Sequence, residues 1–143
     1  MLLFAYGTLV NPKKAERIFR RRPKFKVAFL PNYELVFNVK SPQGLGNPNI
    51  RFGGRGVWGV VYEVCEDDLK RLDMVSPRYE RVEIEVIVDK KRVKAWTYIG
   101  KKIDHGILPD KSCIEKIIEG AEIYGFPKEY VNWLRNIKKS LER

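Results

Sequence analysis

The run Val57-Trp58-Gly59-Val60-Val61-Tyr62-Glu63-Val64-Cys65 constrains the fold more than any other stretch of the chain. It is apolar almost throughout, rich in β-branched and aromatic residues, and too short for a buried helix. Such a run is a strand covered on both faces, so the chain must supply elements to pack on each side of it. Gly59 within it predicts a bend or the close approach of another backbone.

The flanking segments read as those partners. Met1 to Tyr6 is a short apolar strand ending at the turn Gly7-Thr8. Asn11-Pro12 offers an N-cap and a proline at the first helical position, which predicts a helix over Pro12 to Arg22, stopped by Pro23. Lys24 to Val39 reads as two strands or one bent strand, broken at Pro31-Asn32. Ser41 to Gly56, heavy in Gly, Pro and Asn, reads as a loop with a short extended piece at Asn49 to Phe52. Glu66-Asp67-Asp68 places acids in the first turn of a helix that ends before Pro77. Arg81 to Asp89 alternates with Val82, Ile84, Val86 and Val88 on one face, turns at Asp89-Lys90-Lys91 and returns as Arg92 to Ile99. Lys101 to Pro109 is a loop. Asp110 to Tyr124 and Pro127 to Leu141 are closing helices, with Gly125 where a C′ glycine stands. Strands early and helices late make an α+β domain, expected as one unit over residues 1–143.

Charge and composition narrow the function classes. The net charge is +10, from 28 basic and 18 acidic residues. Between Asn11 and Lys26 stand Lys13, Lys14, Arg17, Arg20, Arg21, Arg22, Lys24 and Lys26 against the single acid Glu16. This stretch reads first as a solvated helix face and second as an anion or nucleic-acid footprint. Phe19 and Phe25, the aromatics within it, hold core-like positions, so no stacking platform for single strands is expected. No run of about 18 apolar residues occurs, which excludes a transmembrane helix. Cys65 and Cys113 form no metal-type spacing, and without a secretory signal they are expected as reduced thiols in a cytoplasm. The lone His105, in a loop and expected to face solvent, argues against histidine metal sites and a catalytic triad. The scarcity of Gln beside abundant Lys, Arg, Glu, Ile and Val is the bias of thermophilic proteins. The three tryptophans, Trp58, Trp96 and Trp133, read as core.

Five segments in order resemble the γ-glutamylcyclotransferase family, with its AIG2-like and γ-glutamylamine branches. Phe4-Ala5-Tyr6-Gly7-Thr8-Leu9 is similar to the family's Y-G-[ST]-L strand-to-loop motif. Ser41-Pro42-Gln43-Gly44 with Asn49-Ile50 resembles the polar, glycine-rich stretch before its central strand. Val57-Trp58-Gly59-Val60-Val61-Tyr62 is similar to V-W-G-V-[LV]-[YW], and Leu69 with Leu72-Asp73 to a helix carrying an L-D pair. Gly120-Ala121, Gly125-Phe126-Pro127 and Glu129-Tyr130 resemble its closing helices.

The resemblance implies a small mixed β-barrel flanked by helices, with a pocket at one mouth. It also implies release of 5-oxoproline from γ-glutamyl amides, a cyclising acyl transfer in which the substrate's own α-amine attacks its side-chain carbonyl. Neither a cofactor nor a metal is expected. The reaction needs a base to move a proton from the α-ammonium to the leaving amine, donors for the γ-carbonyl oxygen, and a rigid pocket. Tyr6, Gly7, Thr8 and Leu9 are the implied substrate-binding loop, joined by Tyr79 and Tyr98. The family's base is the glutamate of L-D-x-x-E. Here Leu72-Asp73-Met74-Val75-Ser76 puts Ser76 at that position, and the following loop is shorter. A serine hydroxyl is no general base near neutral pH, so a shifted carboxylate, Asp73 or Glu80, would have to serve. Glu80 is the weaker if Tyr79 and Arg81 claim the inward face. Cys113 stands near the place of a family tyrosine. Three readings stay open: an enzyme with a relocated carboxylate, a non-catalytic relative that binds a γ-glutamyl or amino-acid-like ligand, and an anion or nucleic-acid binder acting through Lys13 to Lys26. The partner expected first is a small γ-glutamyl compound, with neither nucleic acid nor a membrane.

Overall fold

The computed structural model describes residues 1–142. The strands are β1 (Leu2–Ala5), β2 (Phe25–Leu30), β3 (Tyr33–Lys40), β4 (Gly46–Phe52), β5 (Val57–Glu63), β6 (Tyr79–Val88) and β7 (Lys91–Gly100). The helices are α1 (Pro12–Phe19), α2 (Glu66–Val75), α3 (Lys111–Ile123) and α4 (Lys128–Leu141), with a 3₁₀ turn over Thr8–Val10. Five strands close a barrel in the order β1-β5-β2-β6-β7, and β3-β4 forms a separate two-stranded sheet. The barrel is antiparallel except where β1 meets β7 in parallel through Leu3 and Trp96.

As the apolar run requires, β5 is paired on both sides, with β1 and with β2. Its two faces are covered differently. Val57 and Val61 share the barrel interior with Phe4, Ala28, Leu30, Val86, Val88 and Ala95, all buried. Tyr62 and Trp58 face outward, where Tyr62 packs on Phe19 of α1 and Trp58 on Phe126. Each fully buried Val, Leu or Phe adds about 1.5–3 kcal/mol, so this two-sided strand is the main organiser of the core. A methyl group at Gly59 would run into the Ala5 carbonyl and the Phe4 ring, the close backbone approach expected there.

The β6–β7 hairpin turns on Asp89 and Lys90, both at positive φ (51° and 66°). Two left-handed residues make the type I′ geometry whose twist matches the strands. Asn11 caps α1 by accepting from the Lys13 N–H at 3.0 Å, with Pro12 at the first helical position. Asp110 caps α3 in the same way, accepting from the Ser112 N–H at 2.9 Å.

Several expectations are corrected. The first helix ends at Phe19 rather than Arg22, because Arg20 enters the left-handed region (φ 58°). Arg21 and Arg22 therefore lie beyond it. The Gly/Pro/Asn stretch yields a full strand from Gly46, not a short piece from Asn49. Its pairing with β3 overrides weak β propensity, and Pro48 is tolerated because β3-β4 has only two strands and shifts register beside it, between Phe37 and Val39. Phe25 is 49% exposed and Trp133 40% exposed, so neither is core.

Candidate functional site

β1 delivers the loop Tyr6–Leu9 to one end of the barrel, and hydroxyl groups fix it. Thr97 donates to the Phe4 carbonyl at 2.8 Å, Tyr6 donates to the Tyr98 carbonyl at 2.6 Å, and Tyr62 donates to the Leu9 carbonyl at 2.9 Å. Burial, then the neighbouring Tyr79, push the Tyr6 phenol well above its ordinary pKa. Tyr6 is therefore a neutral anchor. The 3₁₀ turn closes with the Val10 N–H on the Gly7 carbonyl at 3.0 Å. The N–H groups of Thr8 and Leu9 precede that first bond.

The β3-β4 hairpin roofs this loop. Asn49, 1% exposed, donates to the Asn38 side chain at 2.9 Å and accepts from the Gly100 N–H at 3.0 Å, which pins the hairpin to β7. Pro48 then sits so close that a methyl group at Gly7 would stand 3.2 Å from its Cβ. The Tyr79 hydroxyl donates to the Pro48 carbonyl at 2.7 Å. Its phenol pKa is raised by burial and by Cys113, against a lowering by Arg78.

The charge beside the loop is positive. Lys14 of α1 donates to the Thr8 hydroxyl at 2.6 Å, leaving the Thr8 proton free for another acceptor. Burial and the nearby Lys116 lower the Lys14 pKa. Cys113 of α3, 3.7 Å from the Asn47 side chain, has its thiol pushed up to about 11, by burial first and then by Asp110. It is a neutral thiol at neutral pH, not a nucleophile.

The expected site residues divide into two groups. Tyr6, Gly7, Thr8, Leu9 and Tyr79 lie together with Pro48, Asn47, Cys113 and Lys14. Asp73 and the Tyr98 ring belong to another cluster, on the outside of the barrel against α2. There Tyr98 donates to Asp73 at 2.6 Å and to the Leu69 carbonyl at 3.1 Å, and Arg81 donates to Asp73 at 2.8 Å. Only the Tyr98 carbonyl faces the loop, through Tyr6. Burial, then the bond to Asp73, raise the Tyr98 phenol pKa.

Arg81 turns toward α2 and packs over Trp96. The inward face of β6 is thus the one carrying Val86 and Val88, which corrects the expectation that Tyr79 and Arg81 claim it. Alternation gives Glu80 to that inward set, but at the strand's start it is exposed, with no hydrogen bond or ion pair among the described residues. Ser76 is the C-cap of α2, and its carbonyl accepts from the Tyr79 N–H at 3.1 Å. Lys14, Asn47 and Pro48 were not singled out from sequence. Lys14 was one basic residue in a run of them, and Asn47 and Pro48 stood in a stretch read as loop.

The basic stretch is less charged than its sequence suggests. Lys13 pairs with Glu119, Arg21 with Asp68, Arg22 with Glu16 and Lys26 with Asp89. Among the described residues, no helix is long and apolar enough to cross a membrane.

Comparison with known proteins agrees with this geometry. A solved structure of a gamma-glutamyl cyclotransferase superposes with a TM-score of 0.86 at 26% identity, covering 94% of this chain and 86% of that one. An uncharacterized protein from Homo sapiens superposes with a TM-score of 0.79 at 28% identity, covering 94% and 85%. YkqA from Bacillus subtilis shares the fold, with a TM-score of 0.84 at 21% identity, over 98% of this chain and 54% of that one. No curated protein sequence matches the chain. The profile of the family described as gamma-glutamyl cyclotransferase, AIG2-like, matches residues 3–117, and the chain belongs to that family.

Proposed function

We propose that this chain binds a small γ-glutamyl or amino-acid-like compound at the Tyr6–Leu9 loop without cyclising it. One observation carries the reading: among the described residues, neither carboxylate named for the base role bonds to any residue of the loop. Ser76 holds the family glutamate's position, Asp73 is bound by Arg81 and Tyr98 on the barrel's outside, and Glu80 is exposed. A pocket that keeps its binding loop but lacks a base can hold the substrate, yet cannot move the proton from its α-ammonium.

The residues beside the loop suit an anionic amino-acid group. Lys14 supplies a cation, the Thr8 hydroxyl a free proton, and Tyr79 with Pro48 a rigid wall. Titration calorimetry with γ-glutamyl amino acids, γ-glutamyl-lysine and glutathione tests the reading. Saturable binding is expected, weakened about tenfold in Thr8→Val, the loss of one charge-assisted hydrogen bond. Absence of saturable binding across the panel would contradict it.

A further inference from the structure

The cleft between α1 and α3 carries a charge imbalance that extends past Lys14, the cation beside the loop. It is a cavity of about 530 Å³ lined by Asn11, Lys13, Lys14, Glu16, Arg17, Lys116 and Glu119. Its two acids are already neutralised. Glu119 pairs with Lys13 at 3.3 Å and accepts from the Asn11 amide at 2.8 Å, and Glu16 pairs with Arg22 at 2.9 Å. Lys14, Arg17 and Lys116 remain, and none of them forms an ion pair among the described residues. Their mutual repulsion is felt at Lys14, whose pKa is lowered by burial and then by Lys116, with a smaller push from Arg17. Cys113, beside Lys14 and Lys116, keeps a proton at neutral pH and offsets none of this charge.

We infer that this cleft is a binding site for the dianionic phosphoryl group of free phosphate or of a small phosphomonoester, held by Lys14, Arg17 and Lys116. Three cations call for more than one negative charge. A phosphoryl group carries between one and two near neutrality, with three acceptor oxygens to share among three donors. The Arg17 guanidinium supplies the forked donor that suits such oxygens. The cavity also has room for a small organic body beyond the phosphoryl group. The site shares Lys14 with the γ-glutamyl reading of the loop, but Arg17 and Lys116 belong to it alone, so variants at those two positions test it independently of that reading.

The test is titration calorimetry of the full chain with inorganic phosphate and with glycerol phosphate, at constant ionic strength set by chloride. Saturable binding at one site is expected, weakened about tenfold in Arg17→Ala and in Lys116→Ala, both exposed positions whose replacement leaves the core untouched. Lys101→Ala/Lys102→Ala, a pair of exposed lysines elsewhere, should bind as the wild type does. Tighter binding of glycerol phosphate would mark an ester as the ligand, and tighter inorganic phosphate the free ion; either supports the site. Binding that never saturates, or that falls equally in the Lys101/Lys102 control, would overturn it. So would affinity for an oligonucleotide with none for either phosphate.

Discussion

Asp68 is the residue on which the α1–α2 corner depends. Its side chain is fully buried, and it accepts two bonds from Arg21 at 3.0 and 2.8 Å, one from Arg71 at 2.6 Å and one from the Cys65 N–H at 2.9 Å. The Arg21 bonds, helped by the Cys65 N–H, outweigh burial and hold its carboxyl well below the usual carboxylate range. A depressed folded-state pKa stabilises the fold fully above the unfolded value of about 3.9, and that contribution declines below it and is gone only once pH has fallen through the depressed folded-state value. Asp68→Asn should therefore cost about 1–3 kcal/mol at pH 7. In urea melts the gap between wild type and variant should be smaller at pH 3 than at pH 7 without closing; an equal gap at both would contradict this. At the end of α2, Ser76→Glu restores a carboxylate at the family position and, on the proposed reading, should release 5-oxoproline where the wild type does not. Residue placement was legible where a motif carried it, as in Tyr6-Gly7-Thr8-Leu9, which the structure sets together at one end of the barrel. Asp73 was not readable, because its capture by Arg81 and Tyr98 joins a helix to two strands that sequence order does not juxtapose.

Among the elements, the β6–β7 hairpin was legible down to its turn, since strict alternation on both arms leaves only the Asp89–Lys91 stretch to reverse the chain. That turn is also suboptimal. Lys90 adopts a left-handed conformation that costs a side-chain-bearing residue about 1–2 kcal/mol, and glycine escapes it. Lys90→Gly should raise stability by about 0.5–1 kcal/mol in denaturant melts, after its larger unfolded-state entropy is allowed for. A loss of stability would contradict the turn geometry. The end of α1 and the start of β4 were less legible, for opposite reasons. Arg20 leaves the helix three residues before Pro23 supplies a stop, and Gly46 and Pro48 join a strand only because β3 lies alongside. For β4, tertiary pairing decided what local propensity left open.

For the whole molecule, net charge is a poor guide to partners. Of the eight basic residues between Asn11 and Lys26, Lys13, Arg21 and Lys26 are paired with acids from elsewhere in the chain and Arg22 with Glu16 inside the stretch. Binding to duplex DNA should thus be only non-specific, and should collapse between about 50 and 200 mM salt. A filter-binding titration in which affinity survives that range would contradict it. The closed barrel, its order of strands and its roof of β3-β4 bring the Tyr6–Leu9 loop together with Lys14, while Asp73 is held by Arg81 and Tyr98 on the barrel's outside. The most direct measurement is 5-oxoproline release by mass spectrometry from the wild-type chain, over the γ-glutamyl panel that binds it. Binding without product is the expected result. Product from the wild type that disappears in Glu80→Gln would show that the exposed carboxylate at the barrel's rim acts as the base, and that the pocket turns its ligand over after all.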